Sequence, residues 1–182
     1  AVRKQLGFSA SDFIVLFVGN ANWIKGLNYL VEALRELPDA KLIVAGLNTQ
    51  PEILAKLPDR VIFTGYLNRT ELAKYYSMAD VLCVPSLYEG FGLVYAEACC
   101  FGLPCIASKG TGAEEIIENA FNGFLVRKRS VAEIKGALQK LTDEEVREKL
   151  GKNAKLKAKQ LSWEKSAERV LTVSYTHLRA HE

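Results

Sequence analysis

Five glycines, Gly19, Gly46, Gly65, Gly90 and Gly112, each lie just downstream of a short apolar run. The clearest run is Phe13–Val18, uninterrupted between Asp12 and Gly19. Side chains of a strand alternate between two faces, so a strand that is apolar throughout must be covered on both. Further strands are expected at Lys41–Ala45, Val61–Thr64, Val81–Val84, Cys105–Ala107 and Gly123–Val126. Between them the apolar spacing turns helical. Leu27, Leu30, Val31, Leu34 and Leu37 share one face of a helix over Gly26–Leu37, which Pro38 ends. Pro51–Leu57 reads as a short helix or turn. Asn68 caps a helix running to about Met78, with Glu71 as its capping-box partner. Leu93–Cys100 and a turn at Ala113–Glu118 follow. The chain then continues into helices at Ser130–Leu141, Asp143–Leu150, Lys152–Gln160 and Trp163–Leu171, the last capped by Ser162.

This alternation predicts an α/β fold: a Rossmann-like parallel sheet of about six strands with helices on both faces. Ligands of such sheets bind beyond the carboxyl ends of the strands, the edge where the five glycines gather. The chain shows no internal repeat and no low-complexity linker.

With 182 residues, 49% of them hydrophobic and 25% charged, the chain can bury one ordinary domain core. No apolar run approaches the roughly 20 residues of a membrane span. No signal peptide is visible, and a cytoplasmic location is expected. The chain starts at Ala1, and Ala1–Leu6 reads as a continuation of something upstream. Cys83, Cys99, Cys100 and Cys105 match no zinc spacing and are expected to be small, reduced core residues. The net charge of +3 is uneven, with the basic excess in the C-terminal helices. That excess fits solvated helix faces, or a face lying peripherally on anionic lipid at the inner membrane surface. No nucleic-acid partner is expected.

Residues 173–182 resemble the translation of a transposon-derived sequencing adapter, and they are set aside as one would a fusion scar. Both histidines, His177 and His181, fall there. Residues 1–172 are then expected to contain neither a histidine base nor a histidine metal ligand.

The most informative segment is Pro85-Ser86-Leu87-Tyr88-Glu89-Gly90-Phe91-Gly92-Leu93-Val94-Tyr95-Ala96-Glu97. A strand precedes it, its centre is a glycine-bracketed turn, and a helix follows. That geometry presents backbone N–H groups to phosphate. Glu89 and Glu97 flank the turn, and an ionised carboxylate only accepts hydrogen bonds, which suits hydroxyl groups. Phosphates in the middle and hydroxyls at both ends describe a nucleotide sugar.

From Phe17 to Arg169 the chain resembles the C-terminal, donor-binding domain of a GT-B glycosyltransferase of family 4. The segment Pro85–Glu97 and Gly102-Leu103-Pro104 carry the resemblance most specifically. It implies that residues 1–172 are the nucleotide-sugar-binding domain and that the N-terminal acceptor domain is missing. It further implies that Glu89 accepts bonds from donor-sugar hydroxyls, and that Gly90, Phe91, Gly92 and Leu93 offer N–H groups to sugar and diphosphate. Glu97 would hold the ribose. Gly19-Asn20-Ala21-Asn22-Trp23-Ile24-Lys25-Gly26 resembles the diphosphate-gripping loop, with Lys25 as its lysine; Lys25 and Glu89 are the expected catalytic pair. Many members carry an arginine where Asn20 stands. Either Asn20 or Asn22 supplies neutral donors instead, or the leaving group is less stabilised. Gly46, Tyr66 and Leu67 match the nucleoside site, with Leu47 and Asn48 in the second glycine loop. Gly112 and Glu115 fall in a further loop and helix start, and Trp163 in a closing helix.

The resemblance implies a retaining transferase of the hexosyl type. It would move a sugar from a nucleoside-diphosphate donor to a glycan or lipid acceptor, without cofactor or metal. The isolated fragment would be inactive. Two alternatives stand beside it. One is another GT-B enzyme: a phosphorylase would need a pyridoxal-phosphate lysine that no segment resembles, and an epimerase uses histidine-bearing motifs. The other is a non-catalytic nucleotide-sugar-binding module, supported by Asn20.

Overall fold

A computed structural model describes residues 2–20, 23–46, 55–56 and 59–161. Ala21, Asn22, Leu47 and Asn48, most of Pro51–Leu57, the Ser162 cap with the Trp163–Leu171 helix, and the 173–182 tail lie outside the described residues.

Every residue of β1 (Phe13–Val18) is buried, as an all-apolar strand requires. It sits inside one sheet with β2 (Ala40–Ala45), β3 (Val61–Gly65), β4 (Val81–Val84), β5 (Cys105–Ser108) and β6 (Gly123–Val126). All neighbours pair in parallel, in the order β3-β2-β1-β4-β5-β6. Strands buried throughout need cover on both faces. The helices provide it: α1 (Val2–Gln5), α2 (Leu27–Arg35), α3 (Arg69–Met78), α4 (Leu93–Cys100), α5 (Val131–Leu141) and α6 (Glu144–Gln160). Helix α2 packs on α5, and α4 packs on α6. Leu27, Leu30, Val31 and Leu34 of α2 are fully shielded, each leucine contributing about 2 kcal/mol by leaving water.

The strand order locates the site. From β1 the chain steps one way through β2 and β3; from β4 it steps the other way through β5 and β6. Strands β1 and β4 are neighbours, so the connections leaving their carboxyl ends part and open a crevice between them.

Two expectations are corrected. Asp143–Leu150 and Lys152–Gln160 are not two helices but one, Glu144–Gln160, capped by Asp143. Gly151, which reads as a break, is buried inside it. A Cβ there would lie 2.4 Å from the Gly102 carbonyl oxygen, so the glycine permits close packing of α6 on the end of α4. The expected helical turn at Ala113–Glu118 is a 3-10 turn over Gly112–Glu115, closed by the Thr111 side chain. A third correction concerns the cysteines. Cys83, Cys99 and Cys105 are buried, but Cys100 is exposed, because the next residue on a helix points about 100° away.

At the opposite edge, Asp80 ties the amino ends of the sheet together. Its carboxylate accepts the Ile14 N–H at 2.7 Å and pairs with Arg3 at 2.8 Å and Arg147 at 3.6 Å. The Arg147 guanidinium also lies over the Phe13 ring.

Candidate functional site

Glycine builds the floor of the crevice. The Gly19 N–H continues the ladder to Ala45 O, and the Gly46 N–H continues it to Gly65 O, both at 2.9 Å. Gly46 adopts φ 152°, and a Cβ on it would sit 2.1 Å from Gly19 O. Only glycine lets these two backbones meet there. Above this floor is a cleft of about 290 Å³, walled by Gly19, Asn20, Gly46, Tyr66, Leu67 and Leu72. Tyr66 is 72% exposed, so its ring stands at the rim. A larger hollow of about 700 Å³ lies at the other edge of the sheet beside Arg3, Phe8 and Met78, and no carboxylate among the described residues lines it.

The connections after β1, β4 and β5 are fastened to one another by backbone contacts. The Leu87 N–H donates to Ile24 O at 2.7 Å. Gly26, in the left-handed region at φ 74°, packs so closely that a Cβ would fall 2.2 Å from Pro85 O. From the other side the Gly112 N–H donates to Glu89 O at 2.9 Å, and a Cβ on Gly112 would lie 1.5 Å from Gly90 O. Three loops therefore converge on Glu89. Its carboxylate pairs with Lys25 Nζ at 2.7 Å, and the Ser86 hydroxyl approaches the same oxygen at 3.5 Å. The side chains of Lys25 and Glu89 are 26% and 12% exposed, reachable from solvent yet largely shielded.

Helix starts add to the positive character of this place. Helices α3, α5 and α6 begin with side-chain caps from Asn68, Ser130 and Asp143. Helices α2 and α4 begin at glycines, Gly26 and Gly92, without a side-chain cap. Those two starts adjoin Lys25 and Glu89 in the chain. Uncapped first-turn N–H groups carry the positive end of the helix dipole, which suits an anion. Gly92 has φ 80°, and a Cβ on it would strike the Tyr95 ring. Tyr95 is itself pinned beneath the turn, its hydroxyl donating to Val84 O at 2.6 Å. Burial, then the nearby Glu89 charge, push the Tyr95 phenol well above its ordinary pKa, so it remains a donor.

Glu97 lies one helical turn into α4. Its carboxylate accepts a hydrogen bond from the Tyr76 hydroxyl at 2.9 Å. Burial first, then the Glu97 charge, hold the Tyr76 phenol far above its usual range. Leu93 and Phe91 are exposed at the mouth of the turn.

The structure thus brings Lys25, Glu89, Gly90, Gly92 and Leu93 together between β1 and β4. Gly19, Asn20, Gly46, Tyr66 and Leu67 are grouped in the adjoining cleft. Glu97 is not among the walls of that cleft. Among the described residues, no group of three or more His, Cys, Asp or Glu side chains could hold a metal, and no helix is long and apolar enough to cross a membrane. Sequence alone did not mark Ser86, Tyr76 and Tyr95 as parts of the site. Of these, only Ser86 carried a usable signal, as a polar residue three before Glu89 in an otherwise apolar approach.

The sequence profile of the family "Glycosyl transferases group 1" matches residues 1–157. The chain is 33% identical over 187 aligned residues to a D-inositol 3-phosphate glycosyltransferase of Xylanimonas cellulosilytica, covering 95% of this chain and 44% of that protein. Among solved structures, a sucrose-phosphate synthase from Thermosynechococcus elongatus superposes with TM-score 0.86 at 34% identity, covering 100% of this chain and 49% of that one. Anabaena HepE, solved with UDP and glucose, superposes with TM-score 0.83 at 25% identity over 95% of this chain and 50% of its own. The chain spans about half the length of the curated relatives it matches.

Proposed function

The chain belongs to the group 1 glycosyl transferases, and from that premise we propose that it is the donor-binding half of a retaining GT-B enzyme of family 4. In this reading it binds a nucleoside-diphosphate hexose and passes the sugar to a glycan or lipid acceptor. One observation carries the proposal: three loops converge on the Lys25–Glu89 pair beside two uncapped helix starts, with a cleft adjoining. The cleft accommodates the base, at Gly46, Tyr66 and Leu67, and the ribose lies at its edge, toward Glu97. The diphosphate takes the Lys25 ammonium and the N–H groups around Gly90–Leu93. The sugar hydroxyls take Glu89. UDP is the favoured nucleotide, because HepE was solved with UDP and glucose.

The chemistry follows from this placement. As the bond between the anomeric carbon and the diphosphate oxygen breaks, its electron pair stays on the diphosphate. Lys25 and the helix starts stabilise that charge where it develops. They supply the positive charge from within the chain, so the grip on diphosphate needs no metal. The sugar gains oxocarbenium character, and Glu89 holds its hydroxyls while the acceptor hydroxyl attacks from the face the diphosphate has left, its proton passing to the departing diphosphate oxygen. The acceptor site belongs to the half that the longer relatives have in addition. Loss of one N–H or ammonium contact of this kind slows such reactions about 100-fold.

Calorimetry with UDP-, GDP- and ADP-glucose, on the chain and on Glu89→Ala, tests the proposal. A single base is expected to bind, and Glu89→Ala should weaken the nucleotide sugar while sparing the free nucleotide. Binding of none of the three would overturn the reading. In a longer enzyme that contains this chain, donor binding without any transfer would favour a non-catalytic module.

A further inference from the structure

Helices α3 and α4 both start at the carboxyl edge of the sheet, after β3 and β4, and run away from it. Side chains on a helix lean toward its amino end. Tyr76 of α3 and Glu97 of α4 therefore both lean back toward the crevice. Spacing gives their depth. Leu72, a wall of the cleft, precedes Tyr76 by one turn on the same face of α3. Leu93, exposed at the mouth, precedes Glu97 by one turn on α4. The hydrogen bond of 2.9 Å between Tyr76 and Glu97 thus lies about 5 Å, one helical turn, below the ligand-facing rim.

Tyr76 is well placed to hold something still. It is 3% exposed, and its ring stacks on Phe101 with centroids 5.5 Å apart and an interplanar angle of 20°. Its hydroxyl has one proton to give and gives it to Glu97 Oε2. A carboxylate has lone pairs on both oxygens, so Oε1 remains an acceptor for hydroxyls of a ligand.

We propose that Tyr76 is a positioning residue for nucleotide recognition, fixing the Glu97 carboxylate so that its second oxygen meets the ribose hydroxyls. The inference rests on the nucleotide-sugar reading above and adds to it the residue that aims the ribose contact. Tyr76 touches no ligand itself. It removes the freedom of a long side chain that would otherwise have to be ordered when the nucleotide binds.

The test compares the full chain with Tyr76→Phe, which keeps the ring and its stack on Phe101. Each is titrated with UDP, GDP and ADP and with their 2′,3′-dideoxy forms. Wild type is expected to prefer the ribose form of its nucleotide. Tyr76→Phe should lower that preference about fivefold, the worth of one oriented hydrogen bond, and leave dideoxy affinity unchanged. Glu97→Gln should lower it at least as far. If wild type prefers the ribose form and Tyr76→Phe keeps the preference intact, or weakens both forms equally, Tyr76 is a packing residue and this inference alone falls. If wild type binds a nucleotide but does not distinguish its two forms, the ribose contact of Glu97 is absent and the inference falls while the nucleotide-sugar reading stands; if wild type binds none of the nucleotides, both fall.

Discussion

On the proposed reading, a donor must enter between the paired Lys25 and Glu89. The ammonium now on the carboxylate would turn to the diphosphate, and the carboxylate to sugar hydroxyls. Lys25→Met should therefore weaken UDP about tenfold or more while leaving uridine, which lacks phosphate, unaffected; titration of both ligands separates the two. Equal weakening of both would mean the substitution had disturbed the loop itself. The cysteines give a second check. Cys100 is exposed, though partial burial raises its pKa, while Cys83 is fully buried and pushed well above its ordinary value. An aromatic disulfide reagent should titrate one thiol per native chain, slowly near neutral pH, and all four after denaturation. Glu89 was legible in the sequence because it stands beside a glycine turn in a loop that closely follows a strand, where function concentrates, whereas Lys25 was marked by the resemblance of its loop to the family's. Tyr76 was not legible. Its hydroxyl matters only because the fold brings Tyr76 of α3 within reach of Glu97 of α4, and nothing local in a run such as Lys74-Tyr75-Tyr76-Ser77 marks which tyrosine faces inward.

Helix and strand positions followed from periodicity and caps with small errors. Asn68 and Glu71 form the capping box that their spacing announced. Helix α6 was misread for a physical reason: glycine is a poor helix former by about 1 kcal/mol, so local preference favours a break at Gly151. Packing overrides that preference, because the contact with Gly102 O leaves no room for a side chain. Gly151→Ala thus sets a propensity gain of about 1 kcal/mol against an overlap costing about 1–3 kcal/mol. We expect net destabilisation, read as a lower urea midpoint. A higher midpoint would mean that α6 shifts freely over the end of α4. Gly112→Ala faces a harder obstacle, since backbone oxygen occupies the space its Cβ would need. A loss of about 3 kcal/mol or a displaced Glu89 loop is expected, and donor titration alongside urea unfolding tells these apart.

Across the described residues, the proposed donor site and the Asp80 anchor occupy opposite edges of one sheet. Asp80 fastens α1, β1 and α6 at the amino edge, far from the crevice. Asp80→Asn should cost about 2 kcal/mol of stability, as loss of a largely shielded charge pair does, and leave nucleotide affinity within about twofold. A large change in affinity would show that the two edges are coupled. The α/β class and the gathering of glycines were readable from the alternation of elements. The strand order was not, since several right-handed windings satisfy the same alternation; it is fixed by which apolar faces fit together. The interlocked loops at the carboxyl edge also bear on engineering. Gly26 lies against Pro85, and Gly112 against Gly90, at separations that admit no side chain. A donor loop transplanted alone from a relative would bring a surface cut for different neighbours. The connections after β1, β4 and β5 are therefore a single exchangeable cassette, and chimaeras that swap all three should fold where those that swap one do not.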